Sequence, residues 1–273
     1  MAHRRLFASD LDGTLVPDRS VRPRTDNAKN LRRFKTWLET QLDMRVVYVT
    51  GRYFDYAREG IRREGLPVPH AIICNVGAEI WNLDGGEFIL DHGWEERNLE
   101  TAGKDFAPRV RTVMKQFSFL KEQEPEKNSN LKISYYFGPS VPEAEARVQA
   151  ENMLVRLGLM THVIVSRDPN NGTGLLDILP VDVSKKNALW YLLKKWGIPP
   201  ASCVFSGDTM NDYDLLISGV NAIVVANAKR EVKALVRTRG GQNSYIACGN
   251  YGEEGAFVSG VLEGLKHYRW LEE

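Results

Sequence analysis

The chain has 273 residues, 43% of them hydrophobic, which is enough to bury a substantial core in one large or two modest domains. Its 36 Lys plus Arg against 35 Asp plus Glu leave a net charge of +1, so composition points to neither a nucleic-acid nor a membrane-surface partner. Cys74, Cys203 and Cys248 are far apart and form no C-x-x-C pair, which argues against a metal cluster or disulfide framework and for a reducing compartment. The apolar part of MAHRRLFASD is too short for a signal segment, and no run approaches the length of a membrane span. The expectation is a soluble, cytoplasmic protein.

Leu6-Phe7-Ala8 is a short apolar run ending in Ser9-Asp10. Ala28, Leu31, Phe34, Leu38 and Leu42 then recur at helical spacing, predicting a helix over 25–43 with Thr25 or Asp26 as its cap. Arg45 to Thr50 reads as a buried strand, 53–64 as a polar helix, and Ala71 to Cys74 as the next strand. Gly77 to Trp81 begins a predicted hairpin with Gly85-Gly86 at its turn. The last 90 residues repeat the alternation, with strands at 203–205, 222–226 and 245–247. The helices between and after them follow Ser184 and cover 211–218, 229–237 and 254–270. Alternating strands and helices imply a parallel sheet covered on both faces. The middle differs: strand 131–137, helix 143–157, then strands 161–166 and 175–179 suggest a small α+β module, with 121–130 as an exposed loop. The predicted architecture is α/β, a Rossmann-like parallel-sheet core over 1–83 and 181–273, interrupted by an inserted α+β cap over 84–180.

Four features carry chemistry. Asp10 and Asp12, two apart in extended chain, share one side at the end of the first strand, where parallel sheets bind ligands. Paired carboxylates there can bind a metal or divide into nucleophile and acid/base. A lone D-x-D-G is equally a turn with two capping aspartates. Thr50-Gly51-Arg52 offers a hydroxyl and free N–H groups to a phosphate oxygen, or else makes an ordinary strand-to-helix turn. Lys185, in a first helical turn, opposes the helix dipole unless an anion binds there. Ser206-Gly207-Asp208-Thr209-Met210-Asn211-Asp212 places Asp208 at a strand end and returns Asp212 four residues later, hard oxygen ligands that suit Mg2+. Turn chemistry alone has no reason to place acid, hydroxyl, lysine and acid in that order at successive strand ends.

With DLDGT at 10–14, the Thr50 strand end, Lys185 and GDTMND at 207–212, the sequence resembles the haloacid dehalogenase superfamily. Asn75 to Ile80 is similar to the segment that capped members carry before their insertion. LKISYYF at 131–137, LLDILPVDVSKKNALWYLL at 175–193, AIVVANAKREV at 222–232 and YGEEGAFVSGVLEGLKHY at 251–268 resemble the sucrose-phosphatase group within it. The resemblance implies a Mg2+-dependent phosphatase acting on a small phosphosugar. Asp10 becomes an aspartyl phosphate and Asp12 is the acid/base. Metal positions fall at Asp10, Asp12 (through its backbone carbonyl), Asp208 and Asp212. Thr50, Gly51, Arg52, Lys185 and Asn211 fall at the phosphate site, with Asn211 and Asp212 orienting metal waters or Lys185. Lys186 follows the motif lysine where many relatives have a small residue; either lysine could face the phosphate, and the alignment of Asn187-Ala188-Leu189 favours Lys185. In the cap strand, alternation puts Lys132, Ser134 and Tyr136 on one face, predicted to meet the sugar, and Ile133 and Tyr135 on the other. Other capped phosphatases, acting on mannosyl- or glucosylglycerate phosphate or a hexose phosphate, a phosphomutase, and a silent sugar-phosphate sensor are the competing readings.

Overall fold

Apolar residues on both faces of Leu6-Phe7-Ala8 make β1 (Arg5–Ser9) a fully covered strand. The structure, a computed structural model, describes residues 5–17, 27–168 and 171–272. In chain order there follow α1 (Asn27–Glu39), β2 (Met44–Val49), α2 (Phe54–Arg63), β3 (Ala71–Cys74), β4 (Glu79–Asp84) and β5 (Glu87–Leu90). The middle supplies α3 (His92–Ala102), α4 (Phe106–Met114), β6 (Leu120–Glu122), β7 (Ile133–Phe137), α5 (Glu143–Arg156), β8 (Thr161–Arg167) and β9 (Gly174–Pro180). The chain then returns through α6 (Lys185–Trp196), β10 (Cys203–Gly207), α7 (Tyr213–Leu216), β11 (Asn221–Val224), α8 (Arg230–Arg239), β12 (Ser244–Ile246) and α9 (Phe257–His267). Thr25 and Asp26, the expected caps of the first helix, lie outside the described residues.

Eight strands form the large sheet in the order β12-β11-β10-β1-β2-β3-β4-β5. The six from β12 to β3 pair in parallel, and β4 and β5 add an antiparallel hairpin. Side-chain alternation sends Leu6, Ala8, Val47 and Val49 to one core, with Leu189 and Leu192 of α6 and Val232 of α8. Phe7, Val46 and Tyr48 go to the opposite core, with Phe34 of α1, Ile61 of α2 and Leu262 of α9. The α/β class expected from the sequence is the observed one.

The small sheet has the order β6-β7-β9-β8 and is antiparallel throughout. Ile133, Tyr135 and Phe137 on one face of β7 pack with Val110 of α4 and Ala146, Ala150 and Leu154 of α5, a third core of its own. Three features differ from the sequence reading. The predicted hairpin forms, but β5 pairs with β4 in the large sheet, so residue 84 falls at the tip of a core hairpin. Residues 92–114 hold α3 and α4, which the sequence reading left without elements. The stretch 121–130 is not simply an exposed loop: it opens in edge strand β6 and continues through a 3-10 turn at Pro125–Lys127, because Tyr136 ties that turn back to β7.

Candidate active site

The parallel strands end on one edge, and the edge residues converge. The Asp10 N–H donates to the Ser206 carbonyl at 2.9 Å, fastening the end of β1 to β10. Gly13, at φ +79°, turns the chain sharply, and a Cβ on it would lie 2.3 Å from an oxygen of Asp208, so only glycine permits this approach. Thr14 Oγ1 donates to Asp208 Oδ1 at 2.9 Å. Across the edge, Ser184 caps α6 by accepting the Asn187 N–H at 3.1 Å. That cap aims the next side chain, Lys185, at the carboxylates. Its Nζ lies 2.7 Å from Asp10 Oδ1 and 2.7 Å from Asp212 Oδ1, with all three groups buried. Lys186 is half-buried and lines no part of the cavity above Asp10, so of the two lysines it is Lys185 that reaches the carboxylates.

Asp10, Asp208 and Asp212 each offer an oxygen within 4.8 Å of the others. Burial, reinforced by the neighbouring Asp212 and Asp208 charges, pushes the Asp10 carboxyl well above the usual carboxylate range against the pull of Lys185. Burial and the Asp212 charge push Asp208 up to about 7. Burial opposes the charge on Lys185, but Asp10 and Asp212 outweigh it and its pKa rises. Three carboxylates against one ammonium leave surplus negative charge in a buried place. An all-oxygen donor set of that charge fits a hard divalent cation. Asp212 is the most committed of the three: its Oδ1 takes Lys185, while its Oδ2 accepts from the Asp208 N–H, the Thr209 N–H and the Thr209 hydroxyl.

Thr50, at the end of β2, is fully buried, and its Oγ1 accepts the Arg52 N–H at 3.1 Å, which leaves the hydroxyl proton to donate. The Arg52 guanidinium grips both oxygens of Asp12, with Nε 2.7 Å from Oδ2. It also lies over the Tyr56 ring, 4.5 Å from its centre, and against Gly60, where a Cβ would collide with it. Burial works against that guanidinium's charge, but the Asp12 carboxylate raises its pKa on balance.

Between these strand ends and the small sheet is a cavity of about 590 Å³. Asp10, Asp12, Gly51, Arg52, Lys185 and Asn211 line it from the core, and Lys132 and Tyr136 from the cap. Thr50 does not line it. Lys132, just before β7, is buried: Nζ lies 3.2 Å from Asp177 Oδ1, 3.1 Å from the Lys127 carbonyl and 3.4 Å from Asn75 Oδ1. Lys127 donates to the Tyr136 hydroxyl at 2.5 Å, and that hydroxyl donates to Glu124 at 2.7 Å. Ile133 and Tyr135 fall in the cap core and Lys132 and Tyr136 at the cavity, as expected, but Ser134, expected on the same face as Lys132, is fully buried away from the cavity and its hydroxyl donates to the Lys127 carbonyl at 3.2 Å.

Sequence reasoning missed Asn75, Asp177, Lys127 and Gln123, which line the same cavity. Asp177 had a readable signal, an acid inside the apolar run LLDILP. Asn75 stands at φ +50° and is followed by Val76 at φ +59°, an unusual pair for side chains with a Cβ. Nothing in the sequence foretold that backbone.

Comparison with known proteins bears directly on this arrangement. The family model for sucrose-6F-phosphate phosphohydrolase matches residues 3–269. The chain belongs to this family. It is 32% identical to a HAD-like hydrolase of Nitrosococcus oceani over all of this chain and 75% of that one. It is 28% identical to the mannosylfructose-phosphate phosphatase of Agrobacterium fabrum, covering 97% and 96% of the two chains. The sucrose-phosphatase of Synechocystis sp. PCC6803, solved with sucrose and phosphate, superposes with a TM-score of 0.78 at 26% identity over 97% and 98% of the chains. A haloacid dehalogenase-like hydrolase of Bacillus subtilis shares the fold, with a TM-score of 0.69 at 17% identity. This member of the sucrose-6F-phosphate phosphohydrolase family is a phosphoric monoester hydrolase of the sugar-phosphate type. Among the described residues no helix is long and apolar enough to cross a membrane.

Proposed function

We propose that the protein hydrolyses the phosphate ester of a disaccharide or glycosyl compound, sucrose-6-phosphate or a close relative, through a covalent phosphoryl group on Asp10. The observation that carries the reading is the cavity itself: a buried carboxylate held by Lys185 on one wall faces a lysine, a tyrosine and an aspartate of the cap on the other. Lys185 engages Asp10 Oδ1, which leaves Oδ2 to attack phosphorus in line. As that O–P bond forms, the bond from phosphorus to the sugar oxygen breaks, and Asp12 gives that oxygen its proton. Water then attacks the aspartyl phosphate, loses a proton to Asp12, and releases phosphate and Asp10. Lys185, the Gly51 backbone N–H and the hydroxyl proton of Thr50 hold the phosphoryl oxygens, while the Arg52 N–H stays on Thr50 Oγ1 and fixes that hydroxyl's orientation. Arg52 keeps Asp12 in place until a substrate enters. Asp10, the Asp12 backbone carbonyl and Asp208 would hold Mg2+, with Asp212 and Asn211 steadying Lys185 and the ion's waters. Bound there, Mg2+ supplies positive charge that offsets repulsion between a carboxylate nucleophile and a phosphate dianion. Residues 91–180 act as the cap that closes over the site and excludes water.

The likeness to a mannosylfructose-phosphate phosphatase over nearly the full length of both chains keeps a second disaccharide phosphate in view. Phosphate release from sucrose-6-phosphate, mannosylfructose phosphate, glucosylglycerate phosphate and hexose phosphates, with and without Mg2+, tests the reading. The expected result is rapid release from one disaccharide or glycosyl phosphate. A preference for simple hexose phosphates overturns it.

A further inference from the structure

The β11–α8 connection, Ala226-Asn227-Ala228, lies near the site, yet the chemistry above makes no use of it. It is firmly held: the Ala226 N–H donates to the Gly255 carbonyl at 2.7 Å, and Lys233 Nζ donates to the Ala226 carbonyl at 2.8 Å. Asn227, half-buried, spends both functions of its amide on the backbone of two other elements. Its Nδ2 donates to the Gly13 carbonyl at 2.7 Å, and its Oδ1 accepts the Phe257 N–H at 2.8 Å. The partners, one an acceptor and one a donor, dictate this orientation of the amide.

Both ends of that bridge are special. Phe257, the first residue of α9, stands at φ +48°, a left-handed conformation that residues with a side chain rarely adopt. Gly13 belongs to the turn that carries the nucleophile and the acid. Its N–H donates to the Val16 carbonyl at 2.8 Å, and Asp208 lies so near that a Cβ on Gly13 would come within 2.3 Å of its carboxylate oxygen. The turn is therefore stopped on one side by Asp208 and tied by its carbonyl to Asn227. A shift of this turn moves Asp10 and Asp12 together and changes their spacing from Asp208. Attack on phosphorus tolerates little error of that kind, since reacting atoms must start within about 3–3.5 Å, and a misplacement of ~1 Å costs about a hundredfold.

We propose that Asn227 is a positioning residue for the phosphoryl-transfer step, pinning the Asp10–Thr14 turn to the N-terminus of α9 so that Asp10 and Asp12 stay in register with Asp208. The inference rests on the reading of Asp10 as the phosphoryl acceptor. Asn227→Asp separates the two halves of the bridge: it keeps an acceptor for Phe257 and loses the donor to Gly13. The measurements are kcat and KM on the phosphosugar, Tm, and capture of beryllofluoride by Asp10 in the presence of Mg2+, followed by 19F NMR. Beryllofluoride mimics the phosphoryl group and reads the geometry without any sugar. Asn227→Asp is expected to lower kcat about tenfold to a hundredfold, with KM within about twofold, Tm near the wild-type value, and weakened capture. Wild-type kcat and capture in this variant overturn the proposal, as does a rise in KM at unchanged kcat. Should Asn227→Asp not fold, Asn227→Gln, which keeps both amide functions on a longer arm, replaces it: lowered kcat and weakened capture support the proposal, and wild-type values of both overturn it. A wild-type protein that captures beryllofluoride but cleaves no phosphosugar, with capture lost in Asn227→Asp, removes the substrate reading and sustains the positioning role.

Discussion

At the edge of the large sheet, three buried or nearly buried carboxylates, Asp10, Asp208 and Asp212, cluster beside one ammonium, Lys185, which pairs with Asp10 and Asp212. On the small sheet the charges are matched: Lys132 with Asp177, Lys127 with Glu124. The core keeps an electrostatic imbalance that folding alone would penalise, and it shows in carboxyl groups that hold their protons far above the ordinary range. The cap keeps neutral, hydrogen-bonded pairs that present donors and acceptors without surplus charge. Unbalanced charge suits a metal ion and a nucleophile; balanced polar pairs suit the recognition of hydroxyl groups. On the proposed function, the two walls of one cavity divide reaction from recognition.

Substitution at the core should damage every substrate alike. Asp10→Asn, an amide in place of the nucleophile, is expected to fold and to lose at least about 10³ in kcat on both the phosphosugar and p-nitrophenyl phosphate. Near-native turnover by the pure variant would end the covalent mechanism. Removal of divalent metal with EDTA should likewise abolish activity on both substrates and Mg2+ should restore it, whereas Ca2+ should inhibit because it accepts more oxygens and draws on both those of Asp10. Full activity after exhaustive chelation contradicts this.

The cap should respond differently. On the proposed function, Lys132→Ala removes a charged donor from the cap wall of the cavity, so KM for the phosphosugar should rise by about tenfold, the equivalent of ~1.4 kcal/mol. Hydrolysis of p-nitrophenyl phosphate, which has no sugar, should barely change. Equal losses on both substrates would place Lys132 in support of the fold or the phosphate site and erase the division between the walls.

The smallest effect is a pH dependence. Asp208 in the folded, metal-free protein titrates at about 7, whereas an unfolded aspartate loses its proton near ~4. The folded state therefore holds the extra proton between those values, so metal-free stability is greatest below ~4 on this account and falls as pH rises toward 7. Mg2+ competes with that proton. The gain in Tm on adding Mg2+ should be larger at pH 8 than at pH 5.5, and an equal gain at both values would show that Asp208 does not titrate in this range.

Most of the core was legible because its rules are local. Period-two alternation and apolar runs mark β1, β2, β3 and β10, and their last residues must lie at one sheet edge. The first half of the cap was not legible. α3 shows only a weak apolar face, with Trp94 and Asn98 as its buried residues, and β6 has three residues at a sheet edge. Their positions come from what they pack against, with Trp94 donating to the Gly77 carbonyl and Arg111 reaching Glu122.

By itself the sequence determined which residue types stand at the strand ends, which face of the cap strand is polar, and that the chain alternates strand and helix around an insertion. Tertiary structure alone decided that Asn75 and Asp177 join Lys132, and that Asn227 touches the Asp10–Thr14 turn 214 residues away. The reason is one of range. Backbone geometry fixes where a side chain points relative to its own element, while the distance between elements, and with it every charge coupling in the site, is set by the packing of cores that no local pattern describes.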